Sequence, residues 1–264
     1  MAQKNLLNLV EGTLAQGCVL SMEKGTPIVG AMEFVEIKGN AYSFNVVDTL
    51  ISTEHRELGE EVTASEMQTE KLTKELVILT NAVKTDRALQ VMGDITDIKA
   101  QNTELAMVSN GKALEKKVVA ELKGALAKAE AGKEFTGALT VDLLDDAVDY
   151  CNPNIIFVNN KGQRALKKLL KAEGHAPETI DSFGKRVIAY DGRPVHVSAD
   201  LSDNEILFVN FDINGVHGIT NGGLKAYEER ANVFDITHVE LLYNVVYKVK
   251  NSFAMVKTSA TRTK

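Results

Sequence analysis

Five carboxylates, one arginine and one histidine crowd residues 52–67, STEHRELGEEVTASEM. Two carboxylates can serve as general acid and base when an apolar pocket raises the pKa of one of them. Glu54, Glu57, Glu60 and Glu61 lie in a mostly polar run with two strand-like segments beyond. That setting predicts a solvated hairpin tip instead of an acid–base pair.

The other reactive side chains are scattered. His55, His175, His196, His217 and His238 form no H-E-x-x-H and no i, i+4 pair, the spacing that puts two zinc ligands on one helix face. His196 and His238 fall in strand patterns and read as sheet-face residues. Cys151 precedes Asn152-Pro153 with nothing adjacent to lower its pKa, so it reads as a small apolar residue at a helix end. Gly111-Lys112, Gly132-Lys133 and Gly184-Lys185 lack both the following Ser/Thr and the upstream Gly of a phosphate-binding loop. No G-x-S-x-G elbow and no G-x-G-x-x-G turn occur. The four aspartates of VDLLDDAVD space as a wet helix face. No catalytic, metal or cofactor residue is assigned, and the chain reads as something other than an enzyme.

With 264 residues, 44% of them hydrophobic, the chain can bury one large core or two modest ones. A net charge of −6 and a pI near 5.5 give no support to a nucleic-acid-binding surface, which needs clustered Lys and Arg. Cys18 and Cys151 are too few for a disulfide framework and read as reduced thiols of a cytoplasm. The sequence offers no signal peptide and no apolar run near the roughly 20 residues of a membrane span.

Periodicity then divides the chain. Residues 1–30 hold Gly12, Gly17, Gly25, Gly30 and Pro27 among scattered apolar positions and read as an extended arm. GNAYSFNVVDTLI alternates Tyr42, Phe44 and Val46 with polar residues, the mark of a half-buried strand. TEKLTKELVILTNAV predicts its partner, from Leu72 through Leu76 to Val83. The connection between them is far longer than an ordinary hairpin loop. KTDRALQVM opens a short helix. A long helix follows, with Asp94 as N-cap and Ile95, Ile98, Leu105, Val108, Leu114, Val118, Leu122 and Leu126 on its apolar face; Asn110-Gly111 threatens a kink. AGKEFTG ends it. Thr140 caps TVDLLDDAVDY, NIIFVNN is a short strand, and KGQRALKKLLKAEG is an amphipathic helix stopped by Gly174. Asp191-Gly192 marks a two-residue hairpin turn in KRVIAYDGRPVHVSAD. NEILFVNF is a buried strand, NGVHGITNGG a Gly-rich turn region, and the remaining strands a meander with a polar tail. An arm and a long hairpin expose backbone and apolar side chains in a monomer; neighbouring subunits would cover them.

This order of elements resembles the tailed-bacteriophage major capsid protein family, with its Hong-Kong-97-type fold, over nearly the whole chain. SFGKRVIAYDGRPVHVSAD, following NPNIIFVNNKGQRALKKLL, is the most telling local match. The resemblance implies an α+β fold with four parts: an N-terminal arm (1–30), an extended-loop β-hairpin (31–80), a peripheral domain with a long spine helix (81–135 and 223–264) and an α/β axial domain (136–222). It implies a structural role. Copies assemble through hexamers and pentamers into an icosahedral shell, in the host cytoplasm, and the shell becomes the virion capsid around double-stranded DNA. The partners implied are other copies of the chain, a portal, a separate scaffolding protein, since the chain begins at Met1 almost at the arm, and in some members a decoration protein. No sequence-specific DNA contact and no membrane are implied. Expected inter-subunit contacts are Tyr42, Phe44, Val46, Leu72 and Leu76 along the hairpin, and Arg56, Glu57, Glu60 and Glu61 at its tip. NGVHGITNGG is expected to meet its copies near a symmetry axis. Lys38, the lone lysine between Gly25 and Lys71, lies at the loop base, so no covalent cross-linking is expected. Encapsulins, which use the same fold to hold enzymes, are the alternative; a cytosolic α/β enzyme is a more distant one.

Overall fold

A computed structural model describes residue 18, residues 26–49, residues 55 and 58, and residues 68–88, 98–174, 178–182 and 185–258. Its largest layer is a seven-stranded mixed sheet. In spatial order the strands are β5 (Lys133–Gly137), β13 (Phe253–Thr258), β10 (Glu205–Val209), β6 (Ile155–Val158), β9 (Arg193–Val197), β8 (Lys185–Tyr190) and β7 (Glu178–Ser182). IIFV of β6 is buried at every position because the sheet is covered on both faces. Alternate side chains serve two cores. Ile155, Phe157, Leu207, Val209, Phe253 and Met255 join Leu114, Val118 and Leu122 of the long helix α2 (Ile98–Ala127). Ile156, Val158, Ile206, Phe208, Ala254 and Val256 join α3 (Val141–Cys151) and α4 (Asn160–Ala172).

Local chemistry sets these elements. Thr140 accepts the Leu143 amide at 3.3 Å and starts α3. Asn152, left-handed at φ 41°, ends it before Pro153. Asn159 accepts the Lys161 amide at 3.0 Å and starts α4. Asp191 and Gly192 both take positive φ, 47° and 71°, the geometry of a type I′ turn. Arg193 locks that corner, donating from Nε to Pro153 O at 2.8 Å and from Nη2 to Asn152 Oδ1 at 2.9 Å.

A second, four-stranded sheet runs β1 (Phe34–Glu36), β11 (Val216–Ala231), β12 (Phe234–Tyr247), β4 (Val77–Asp86). β1 lies parallel to β11, and the Phe34 ring rests on Gly218, where a Cβ would stand 2.5 Å from it. A two-stranded hairpin, β2 (Ala41–Thr49) with β3 (Gln68–Glu75), leaves this body. A short helix α1 (Pro27–Ala31) precedes β1.

The structure corrects several expectations. The segment from Leu72 to Val83 is two strands in two sheets, because the chain turns at Leu76. That residue is buried and donates its amide to Asn40 O at 2.8 Å, while Asn244 Nδ2 holds Glu75 O at 2.6 Å. Lys84–Asp86, read as opening a helix, extends β4 along β12. Helix α2 runs unbroken through Asn110-Gly111, since Asn110 turns inward to accept from Asn81 Nδ2 of β4 at 3.2 Å. Leu105, placed on its apolar face, is 69% exposed. KEFTG, read only as the end of that helix, forms the edge strand β5. His217 to Thr220, read as a turn region meeting a symmetry axis, is a buried length of β11; only Asn221–Gly223 bulge out, between Thr220 and Leu224. β13 leaves the meander to sit between β5 and β10. The N-cap Asp94, Ile95 and the arm apart from Cys18 and residues 26–30 lie outside the described residues.

Candidate assembly surfaces

The hairpin is anchored at its base by its own chain. Tyr42 stacks on Phe44 at 6.0 Å, and Phe44 meets the Tyr247 ring edge-on at 6.0 Å. Val46 is fully buried, and Val47 donates its amide to Lys248 O at 2.9 Å. From β3, Lys74 stands 5.3 Å above the Tyr247 ring and 3.6 and 3.7 Å from Glu121 and Glu130 of the body. Tyr247 donates its hydroxyl to Glu130. Phe44, Val46 and Leu76 therefore fill the subunit's own core and have little surface left for a neighbour, contrary to their expected contact role. Tyr42 and Leu72 are half-buried and keep part of their side chains free. Ser43 and Thr73 pair across the outer face through their hydroxyls at 2.8 Å. Leu58, in the long connection, is fully exposed. Arg56, Glu57, Glu60 and Glu61 lie outside the described residues.

A second surface was missed in the sequence. Among the described residues β4 pairs with β12 alone, so its other edge presents unpaired backbone groups. Ile78 on that edge is 63% exposed, opposite Leu242. The same sheet face carries Tyr227 stacked on His238 at 4.9 Å, His238 Nε2 3.0 Å from Glu229 Oε2, and Lys84 Nζ 6.0 Å from the Phe234 ring. Aromatic, apolar and paired charged groups together make a surface suited to a protein partner. The signal lay in the alternation of Ile78, Thr80, Ala82 and Lys84, hidden by reading β3 and β4 as one strand.

Among the described residues the interior contains a few separate titratable groups. His217 is 1% exposed with neither ring nitrogen hydrogen-bonded; burial, then nearby Lys248, push it down to about 4. Glu115 of α2 is 3% exposed; burial pushes it up to about 7, with Asp200 adding to the rise against a hydrogen bond to Ser198. Cys18 and Cys151 are buried and free, and burial raises Cys151 to about 12 despite Arg193. A cleft of about 350 Å³ lies among Asp86, Arg87, Ala88, Asn232 and Val233, where Arg87 pairs with Asp235 at 3.5 Å. It holds no nucleophile beside a base. Among the described residues no three His, Cys, Asp or Glu side chains gather to hold a metal, and no helix is long and apolar enough to cross a membrane.

By sequence the chain matches no family model and no curated protein. By structure it superposes on shell proteins. The holo-SrpI encapsulin of Synechococcus elongatus PCC 7942 gives a TM-score of 0.72 at 16% identity, over 90% of this chain and 89% of that one. A chain from a structure of Microbacterium phage Oxtober96 gives 0.64 at 12% identity, over 89% and 91%. The capsid of a native GTA particle gives 0.62 at 14% identity, over 95% and 93%. At these coverages the whole architecture is shared: the chain has the α+β, Hong-Kong-97-type fold of phage capsids and encapsulins.

Proposed function

We propose that the chain is the major capsid protein of a double-stranded DNA phage, closing through hexamers and pentamers into an icosahedral shell. The observation that carries this reading is the superposition over about nine-tenths of the chain on shell proteins from several sources. A hairpin fixed at its base and an open, partly apolar sheet edge agree with it, since both gain by being covered. In this reading residues 1–30 are the arm, 31–80 the extended loop, 81–135 and 223–264 the peripheral domain, and 136–222 the axial domain, with β5 and β13 lent to the axial sheet. Tyr42, Leu72 and the tip residues Arg56, Glu57, Glu60 and Glu61 meet neighbouring subunits. A scaffolding protein, a portal and in some particles a decoration protein complete the assembly in the host cytoplasm. The role is structural and needs no cofactor.

An encapsulin-type compartment is the second reading, favoured by the 0.72 TM-score to an encapsulin. One experiment tests both. The full chain is expressed, sized by gel filtration and imaged by negative-stain microscopy. Closed particles or ring-shaped capsomers are expected; a monomer at all concentrations overturns both readings. The contents of particles from the native source then decide, nucleic acid for the capsid and protein cargo for the compartment.

A further inference from the structure

Two helices on one face of the seven-stranded sheet carry matched stripes of opposite charge. On α4, Arg164, Lys167, Lys168 and Lys171 are all exposed, opposite the buried Gly162, Leu166 and Leu170. On α3, Asp142, Asp145, Asp146 and Asp149 are all exposed, opposite the buried Leu144, Ala147, Val148 and Cys151. Both sets repeat at i, i+3, i+4 and i+7, so each is a single stripe about 10 Å long.

Neither stripe is explained by its own helix. Like charges three and four apart repel, so each set weakens the helix that bears it. The helix dipole accounts for Asp142 in the first turn of α3 and Lys171 in the last turn of α4, but it opposes Asp149 in the last turn of α3. Neither stripe is satisfied by the described residues. Among the described residues no ion pair reaches Arg164, Lys167, Lys168 or Lys171, nor any of the four aspartates, although Asp145 accepts the Tyr190 hydroxyl. Both helices pack their apolar sides on the same sheet face, so both stripes point away from it and cannot meet each other.

We infer that the acidic stripe on α3 of one copy seats on the basic stripe on α4 of a second copy. The stripes match in length, spacing and number and are opposite in sign, which is the complementarity that sets register between partners. Because both stripes lie on one face, two copies that face each other across a two-fold axis seat acidic on basic twice, an isologous contact. The inference rests on the shell reading above.

The test uses the full chain in three forms: Asp142→Lys with Asp149→Lys, Arg164→Glu with Lys171→Glu, and all four changes together, these end positions facing each other whichever way the two stripes run. Asp145 is spared because of Tyr190. Far-ultraviolet circular dichroism checks folding, and light scattering follows assembly. Each single-helix variant should raise the concentration for half-assembly at least about tenfold, because like charges then face each other. The four-change variant should return to within about threefold of the unaltered chain, since every contact is again opposite in sign. Single-helix variants that assemble normally, or a folded four-change variant no better than they are, overturn the inference and leave the shell reading standing. An unaltered chain that never assembles overturns both. Loss of retardation of a double-stranded DNA probe by Arg164→Glu with Lys171→Glu, with assembly unchanged, overturns it in favour of phosphate binding by α4.

Discussion

His217 and Glu115 are both buried and pull the subunit's pH dependence in opposite directions. The folded pKa of His217 is lowered from 6.5 to about 4. Below pH 6.5 the unfolded chain takes up a proton that the folded one refuses, so stability falls as pH drops and levels off near 4, a loss of roughly 3 kcal/mol. The folded pKa of Glu115 is raised from 4.5 to about 7. Its contribution is whole below 4.5 and is lost as pH rises through about 7, again roughly 3 kcal/mol. Between pH 4.5 and 6.5 the two slopes are equal and opposite, so the stability of the unaltered subunit should stay nearly flat there. Melting curves from pH 4 to 8 check this: His217→Leu should leave stability falling as pH rises from 4.5 to about 7, and Glu115→Gln should leave it falling as pH drops from 6.5 to about 4. Neither burial was legible beforehand. His217 sits in a run, NGVHGITNGG, whose glycines signal a turn, and its burial comes from β1 and β12 on either side, strands far away in sequence.

The hairpin's base belongs energetically to the subunit. Phe44 packs on Tyr247 and Tyr42, so Phe44→Ala should lower subunit stability by about 3 kcal/mol, seen as a shifted denaturant midpoint at constant slope. Tyr42→Ala and Leu72→Ala, at half-buried positions, should cost the subunit less and particle yield more. Equal losses of stability at all three sites would place the whole face in the subunit core. The alternation of Tyr42, Phe44 and Val46 was readable because a period of two is a local property. The break at Leu76 was not, since KLTKELVILTNAV has uniform strand character and the turn is imposed by Asn40 and Asn244. Helix α2 shows the reverse case. Asn-Gly is a local breaker, and a distant partner, Asn81, overrides it.

At the scale of the molecule, order along the chain was more legible than pairing across it. Capped helices, the Asp191-Gly192 turn and IIFV each carry a local cause, and their succession led to the fold. That β13 would enter between β5 and β10, or that β1 would run parallel to β11, has no local cause and follows only from which apolar faces remain to be covered. The same division bears on the acidic connection at residues 52–67. Its composition marks a wet tip, and what it touches is a property of the assembly. With Phe44, Val46 and Leu76 buried in the subunit core, the shell reading gives the tip's carboxylates, beside the free parts of Tyr42 and Leu72, the role of meeting a neighbour. Glu60→Lys with Glu61→Lys should then leave the melting temperature of the isolated subunit within a degree or two, because charges in a solvated tip, the setting the sequence predicts for them, contribute little to folding. Particle formation should fall several-fold at low salt, where the new like-charge contacts are least screened, and recover in part near 1 M salt. Normal particle yield from a folded variant would return the stretch to a solvated loop.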